Sequence, residues 1–136
     1  MITVFTNGCF DILHVGHIRL LQWARSQGGF LTVGLNSDIS VRRLKGPNRP
    51  IVAEAERKEI LLALRCVDQV IIFKEDTPLE LLDQIRPQIL VKGPECLGQV
   101  VPGQEFVESL GGCVMIPDWP IDISTSGIMR LINRAK

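Results

Sequence analysis

The chain alternates between short runs of β-branched and other apolar residues and segments with helical periodicity. Five apolar runs predict strands, at residues 2–6 (ITVFT), 30–36 (FLTVGLN), 67–73 (VDQVIIF), 88–93 (QILVKG) and 112–118 (GCVMIPD). Five further segments predict helices, at residues 14–27, 53–66, 77–87, 104–112 and 124–135. Strands alternating with helices of about 10–14 residues are typical of a parallel sheet. The pattern therefore predicts a doubly wound, Rossmann-like α/β domain with about five strands and helices on both faces.

Length and composition narrow the possible partners. The 136 residues predict one domain, residues 1–136, because a chain of this size builds a single core. Fifteen basic residues balance 15 acidic ones, which gives no broad electrostatic reason to expect nucleic acid as a partner. No apolar run approaches the roughly 20 residues that span a bilayer, and the start of the chain does not resemble a signal peptide. The four cysteines form no C-x-x-C pair, so we expect a cytoplasmic protein with reduced thiols and no membrane partner.

The stretch NGCFDILHVGH, residues 7–17, follows the first predicted strand and contains both histidines of the chain. In a doubly wound sheet, ligands lie beyond the carboxyl ends of the strands, where the strand order reverses. Gly8 allows the backbone to approach a ligand closely. His14 and His17 are spaced i, i+3, so we expect both imidazoles on one side of the first helical turn, near its free N–H groups. The spacing predicts an anion site in which Gly16 leaves room for a phosphate between the two rings.

Other interpretations of the same residues remain open at this stage. A histidine at a helix start is commonly a cap, and a zinc site could use His14, His17, Asp11 or Cys9. Zinc-binding helices usually space histidines i, i+4 around a glutamate, or use paired cysteines, and neither pattern occurs here. The G-x-G-x-x-G and G-x-x-x-x-G-K-[ST] fingerprints of dinucleotide and P-loop proteins are also missing from the sequence.

Two motifs carry a resemblance to a known family. GCFDILHVGH, residues 8–17, resembles the H-x-G-H signature of the nucleotidylyltransferase superfamily, in its cytidylyltransferase-like branch. ISTSGI, residues 123–128, resembles the second signature of that branch, I-S-T-T-x-I. The middle segments NSDISVRRLKGPNRPI, EDTP and ILVKG are most similar to the adenylyltransferase domain of ADP-heptose synthase. Glycerol-3-phosphate cytidylyltransferase is the next most similar.

The resemblance implies a reaction. A nucleoside monophosphate is transferred from a nucleoside triphosphate to a phosphorylated sugar, and pyrophosphate is released. The similarity of the middle segments favours ATP as the donor and an acceptor like heptose 1-phosphate. The alternative is transfer from CTP to glycerol 3-phosphate or another polyol phosphate. A nucleotide-binding module without turnover and a metal hydrolase are alternatives from other classes. The resemblance also implies Mg²⁺ carried with the triphosphate, no metal ligands of the protein's own, and a homodimer.

The resemblance implies roles for individual residues as well. The expected catalytic residues are His14 and His17, which would hold the α-phosphate, and Lys45, which is expected in a mobile loop. The expected nucleotide contacts are Gly8, Cys9, Phe10, Gly16, Arg57, Lys92, Gly93, Glu95, Ser124, Thr125 and Ser126. The expected acceptor contacts are Asp11 and Asp38. From the residues alone, Lys45 is as well explained as a solvated loop lysine, Arg57 as a helix-surface residue and Ser124 as an N-cap.

The sequence departs from the family pattern at two places. Residues 92–96 are KGPEC, where the heptose enzymes have K-G-G-D-Y and the glycerol enzymes have M-G-H-D-W. Ser126 stands where the family usually has threonine, which keeps a hydroxyl at that position.

Overall fold

Five parallel strands form one sheet in the computed structural model, which describes residues 1–120 and 124–134. The strands are β1 (Thr3–Gly8), β2 (Phe30–Asn36), β3 (Gln69–Phe73), β4 (Ile89–Val91) and β5 (Cys113–Met115). Their order is β3-β2-β1-β4-β5, and every neighbouring pair is parallel. The chain order reverses beside β1, so the predicted doubly wound, Rossmann-like fold is confirmed. Ile123, the first residue of the second signature, lies outside the described residues.

The described helices are α1 (Val15–Ser26), α2 (Asp38–Lys45), α3 (Glu54–Leu62), α4 (Leu79–Ile85), α5 (Gln104–Ser109) and α6 (Thr125–Arg134). Each predicted helix is present, and in the described residues none extends beyond its predicted range. Helix α2 was not predicted, and it corrects the placement of Lys45, which is the last residue of this helix and not part of a loop. Ser37 caps α2 by accepting a hydrogen bond from the Ser40 amide, but only Ser40 and Val41 are buried. With only two buried positions in eight residues, one of them a serine, the apolar periodicity of this segment is too weak to predict a helix from the sequence.

Two apolar clusters lie on opposite faces of the sheet, as the predicted layers require. Val4 of β1 packs with Leu21 of α1 and Leu61 of α3 in one cluster. Phe5, the next residue of the strand, packs on the other face with residues of α4 and α5. Successive side chains of a strand point to opposite faces, so β1 is covered on both sides. No helix in the described ranges is long and apolar enough to cross a membrane.

The sheet topology brings three segments to one edge. β1, β2 and β4 are neighbours, and their carboxyl ends lead into the β1–α1 loop, helix α2 and a 3₁₀ turn at Pro94–Cys96. Because the strands are parallel, these segments all emerge at the same edge. This edge is where the sequence predicted a ligand site.

Candidate active site

A cleft of about 790 Å³ opens at the carboxyl edge of the sheet, over the end of β1. Most of the residues predicted for the site line it: Gly8, Cys9, Phe10, Asp11, His14, Gly16, His17, Lys45, Lys92, Gly93, Glu95, Ser124, Thr125 and Ser126. Arg57 and Asp38 do not line it. Further lining residues were missed by sequence reasoning, among them Asn7, Arg19, Leu44, Arg49, Pro94 and Trp119. Four of these, Asn7, Leu44, Arg49 and Pro94, lie within stretches that the sequence analysis singled out, and that is the only signal that pointed to them.

The rings of His14 and His17 both bond to the backbone at the N-terminus of α1. His14 is the N-cap, and its Nδ1 accepts a hydrogen bond from the Gly16 amide at 3.1 Å. The Nδ1 of His17 accepts one from the His14 amide at 3.2 Å. This is a capping box in which two imidazoles replace the usual hydroxyl and carboxylate side chains. A ring nitrogen that accepts carries no proton, so each neutral ring carries its proton on Nε2 and offers that N–H as a donor.

The two rings are stacked, with their centroids 3.9 Å apart and their planes at 30°. The prediction that a phosphate fits between them is therefore wrong, because stacked rings leave no space for one. Each ring uses its Nδ1 to accept a hydrogen bond from a backbone amide of this turn, and the two rings lie against each other. An anion can instead meet the Nε2 side of both rings, which line the cleft.

Both histidines are neutral at pH 7. Burial, together with the neighbouring His14, lowers the pKa of His17 to about 4. Burial also lowers the pKa of His14 below its ordinary value. The pair is thus a set of uncharged donors, and any positive charge offered to an anion in the cleft comes from lysine and arginine side chains.

The β1–α1 loop has an unusual backbone. Phe10 and Ile12 have φ angles of 48° and 53°, in the left-handed region that residues other than glycine seldom occupy. These turns bury the Phe10 ring in the core, with its centroid 5.3 Å from that of His17. They also bury Asp11, which is 2% exposed. Strained backbone of this kind is typical of functional loops.

Asp11 binds the segment of residues 46–52, which we call the strap and which joins α2 to α3. Its two carboxylate oxygens accept hydrogen bonds from the amides of Ile51 and Val52, at 2.8 and 2.9 Å. Both oxygens are thereby directed to the protein backbone. Asp11 lines the cleft, but its carboxylate holds the strap in place against the β1–α1 loop.

Arg57 is 1% exposed and lies behind the cleft wall. Its guanidinium donates to the carbonyl oxygens of Val52, Cys9 and Asn36 at 2.8, 2.6 and 2.9 Å. It also donates to the carboxylate of Asp38 at 2.8 Å. The resemblance implied that Arg57 contacts nucleotide, and the residues alone explained it as a helix-surface residue. The structure corrects both placements, because the side chain is buried behind the cleft. Three segments converge on its buried guanidinium, which leaves it and Asp38 outside the cleft.

The loop after β4 brings another cation to the cleft. The Nζ of Lys92 donates to Oδ1 of Asn7 at 3.2 Å, and burial lowers the pKa of Lys92 while nearby Cys96 and Glu95 oppose that effect. The Glu95 carboxylate packs over Gly93, where a Cβ would lie 2.4 Å from it. The loop therefore presents backbone groups and a carboxylate to the same wall of the cleft.

The start of α6 forms another part of the cleft wall. The Ser124 hydroxyl accepts a hydrogen bond from the Gly127 amide at 2.9 Å, as an N-cap does. Thr125 donates its hydroxyl proton to the carbonyl oxygen of Asp11 at 2.6 Å, which ties α6 to the β1–α1 loop. Trp119, just before α6, lines the cleft and packs edge-on against Trp23 of α1, with ring centroids 5.8 Å apart.

Comparison with known proteins identifies the family to which this chain belongs. The family described as Cytidylyltransferase-like matches residues 5–130, and the chain belongs to this family. It is thus a nucleotidyltransferase by class, as the two motifs predicted. The chain is 55% identical over 132 residues to the bifunctional protein HldE of Syntrophotalea carbinolica, and 57% identical over 130 residues to that of Geotalea uraniireducens. These alignments cover 96% of this chain, which spans only 27% and 26% of the two relatives.

Solved structures show the same fold. A lipopolysaccharide core biosynthesis protein of Thermoplasma volcanium is 32% identical, with a TM-score of 0.69 over 85% of this chain and 93% of that one. A pantothenate synthetase of Thermus thermophilus has a TM-score of 0.58 at 19% identity, over 93% of this chain and 58% of that one, which shows a shared fold only.

Proposed function

We propose that this chain transfers an adenylyl group from ATP to a phosphorylated sugar like heptose 1-phosphate, with release of pyrophosphate. The observation that carries the proposal is the pair of Nε2–H donors of His14 and His17, at the carboxyl end of β1 in the cleft that Lys45 also lines. Donors aimed at the α-phosphate suit a reaction that depends on positioning and on stabilisation of charge.

In the proposed reaction, a phosphate oxygen of the acceptor forms a bond to the α-phosphorus. The bond from that phosphorus to the oxygen bridging the α- and β-phosphates breaks, and its electron pair leaves with pyrophosphate. The histidine Nε2–H groups donate to the α-phosphate oxygens, whose charge shifts in the transition state. Lys45 supplies positive charge from the end of α2.

The start of α6 is proposed to hold the β- and γ-phosphates. The hydroxyl proton of Thr125 is already donated to Asp11, so Thr125 offers the phosphates its backbone and not its hydroxyl. The free N–H groups of the first turn and the Ser126 hydroxyl are the donors that remain there. Because Arg57 and Asp38 are bonded to each other behind the cleft, we assign them to support of the strap rather than to contact with substrate.

Mg²⁺ is proposed to enter with the triphosphate. No group of three or more His, Cys, Asp and Glu residues in the described ranges is arranged to hold a metal ion. Asp11, an acidic residue that lines the cleft, uses both carboxylate oxygens as hydrogen-bond acceptors for amides of the strap. An ion bound mainly by phosphate oxygens and water, as is usual for Mg²⁺ with nucleotides, does not need such a group.

The choice of ATP and a heptose phosphate rests on similarity. The segments at 36–51, 75–78 and 89–93 resemble the adenylyltransferase domain of ADP-heptose synthase. The match to relatives named HldE and to a lipopolysaccharide core biosynthesis protein supports the same choice. The loop after β4, with Gly93 and Glu95, is the proposed site of the base, where mismatched buried polar groups would cost about 1–3 kcal/mol each.

The test is a competition assay. The protein is incubated with equal ATP and CTP and with either heptose 1-phosphate or glycerol 3-phosphate, and products are identified by mass spectrometry. We expect ADP-heptose and pyrophosphate, with kcat/KM for ATP at least about tenfold above that for CTP, which corresponds to about 1.4 kcal/mol. A preference for CTP and glycerol 3-phosphate would overturn the proposal. Loss of product with His17→Ala is the control for catalysis by a contaminant.

A further inference from the structure

Arg49 lies in the strap and lines the cleft, and neither the motifs nor the proposed reaction gives it a role. Its side chain is 16% exposed. The Nε atom of Arg49 is buried and has no hydrogen-bond partner among residues 1–120 and 124–134. A buried donor without a partner is unfavourable and uncommon in native structures, so the protein alone leaves the guanidinium incompletely bonded. The Nε itself is closed to the cleft, so a ligand would meet the two terminal nitrogens of the guanidinium, which are not among the buried unpaired atoms.

Asp11 does not fill that need. Its Oδ2 is 3.7 Å from the Arg49 Nε, which is too long for a hydrogen bond. Both of its carboxylate oxygens already accept strap amides at 2.8 and 2.9 Å. Asp11 therefore balances the charge of Arg49 and fixes the strap, while the guanidinium keeps donors for another anion.

The sheet order indicates which phosphate of the reaction lies nearest Arg49. The strap follows α2 on the β2 side of β1, whereas the loop with Gly93 and Glu95 lies on the β4 side. With the base assigned to the β4 side and the β- and γ-phosphates to α6, the β2 side is left for the acceptor.

We propose that Arg49 binds the phosphate of the acceptor, an inference that rests on the proposed function. A guanidinium presents parallel N–H donors that match two phosphate oxygens, so Arg49 orients the incoming phosphate as well as attracting it. Lys45, a compact charge at the exposed end of α2, has no such geometry. Arg49 thereby contributes to selection of phosphorylated acceptors over free sugars.

The test compares Arg49→Gln and Arg49→Lys with the wild type. The matched control is Arg42→Gln, an exposed arginine of α2 that does not line the cleft. KM is measured for heptose 1-phosphate and for ATP, and calorimetry gives the Kd of each alone. We expect Arg49→Gln to raise both the acceptor KM and its Kd about 10- to 100-fold, as loss of a charged hydrogen bond does. The values for ATP should stay within about twofold, since Arg49 is assigned no nucleotide contact.

Arg49→Lys keeps the charge without the paired donors, so we expect a smaller rise in the acceptor KM. It also serves as the decisive variant if thermal unfolding shows that Arg49→Gln does not fold. An unchanged acceptor KM and Kd, or an equal weakening of ATP binding, would overturn the assignment.

The two proposals fail separately. If the wild type forms no product but Arg49→Gln still weakens the calorimetric binding of heptose 1-phosphate, the proposed reaction is wrong and the phosphate site stands. If the wild type forms product and Arg49→Gln leaves the acceptor constants unchanged, the reaction stands and the role of Arg49 is wrong.

Discussion

The two sides of the cleft are held in place by different means. At the start of α1, His14 and His17 bond to backbone groups no more than three positions away. The strap is held by partners far along the chain, since Asp11 binds Ile51 and Val52 across 40 and 41 positions. Arg57 extends that network across 48 positions to Cys9. We call the histidine side the local side and the strap side the long-range side. A short sequence motif is enough to predict the local side, whereas the long-range side depends on contacts that only the whole fold brings together.

The largest effect should come from breaking the long-range side. Arg57→Met leaves the carboxylate of Asp38 and three carbonyl oxygens without their donor, so we expect the free energy of unfolding to fall by about 3–5 kcal/mol. Urea denaturation measures this change. Arg43→Met, which breaks an exposed ion pair with Asp76, should cost no more than about 1 kcal/mol. Equal small losses in both variants would show that the network does not hold the strap.

Breaking the local side should affect catalysis before stability. His14→Ala or His17→Ala removes one donor and should lower kcat about 10²- to 10³-fold, which is about 2.7–4 kcal/mol. Loss of the cap should cost only about 1 kcal/mol of stability. Turnover in the competition assay and thermal unfolding measure the two effects. Gln22→Ala, at an exposed position of α1 outside the cleft, is the control, and wild-type turnover in His17→Ala would refute the assignment.

The local side also predicts a dependence of stability on pH. The pKa of His17 is about 4 in the folded protein, below the ordinary value of 6.5. The unfolded chain therefore binds a proton first as the pH falls, so stability is fully present above pH 6.5 and declines toward pH 4. We expect a loss of about 2 kcal/mol from this residue, allowing for its partial exposure.

His17→Gln is the variant that isolates this contribution, because glutamine is a usual partner in a capping box and does not titrate. Urea denaturation at pH 7.5 and pH 4.5 should show a flatter profile for His17→Gln than for the wild type. Parallel profiles would mean that His17 is not held neutral by the fold.

The smallest effect is expected for Lys45, the last residue of α2, directly before the strap. Lys45 is exposed at the end of α2, so its charge is screened by solvent. Lys45→Ala should lower kcat and kcat/KM together by about tenfold, with the KM for ATP nearly unchanged, because an exposed side chain at a helix end is expected to engage the phosphates mainly in the transition state. Arg42→Ala is the control. Lost ATP affinity with unchanged kcat would make Lys45 a binding residue only.

The difference between the two sides also sets how much could be predicted from the sequence. The alternation of apolar runs predicted all five strands and their parallel sheet, because a strand buried on both faces needs continuous apolar residues. The H-x-G-H motif likewise predicted a site at the end of β1. The predicted geometry of this site was wrong in one respect. Nothing in the i, i+3 spacing of the histidines shows that each ring bonds to a backbone amide through Nδ1, or that the two rings stack.

The long-range side was beyond sequence reasoning. Arg57 sits in a helix among charged residues, and its position alone suggests an exposed side chain. Its burial depends on carbonyl oxygens of Cys9 and Asn36, which the fold brings together. The left-handed backbone at Phe10, the residue after Cys9, has no signal in residue type. For the same reason, Arg49 could not be distinguished from the other arginines of its segment.

The edge-on contact between Trp23 and Trp119 has an optical consequence. These are the only two tryptophans of the chain, and one of them lines the cleft. Indole rings at a centroid distance of 5.8 Å are close enough for their electronic transitions to couple, which gives a signal in near-ultraviolet circular dichroism that reports their relative orientation. A molecule that enters the cleft changes the surroundings of Trp119, so emission and dichroism both follow occupancy. The protein thus contains its own spectroscopic probe.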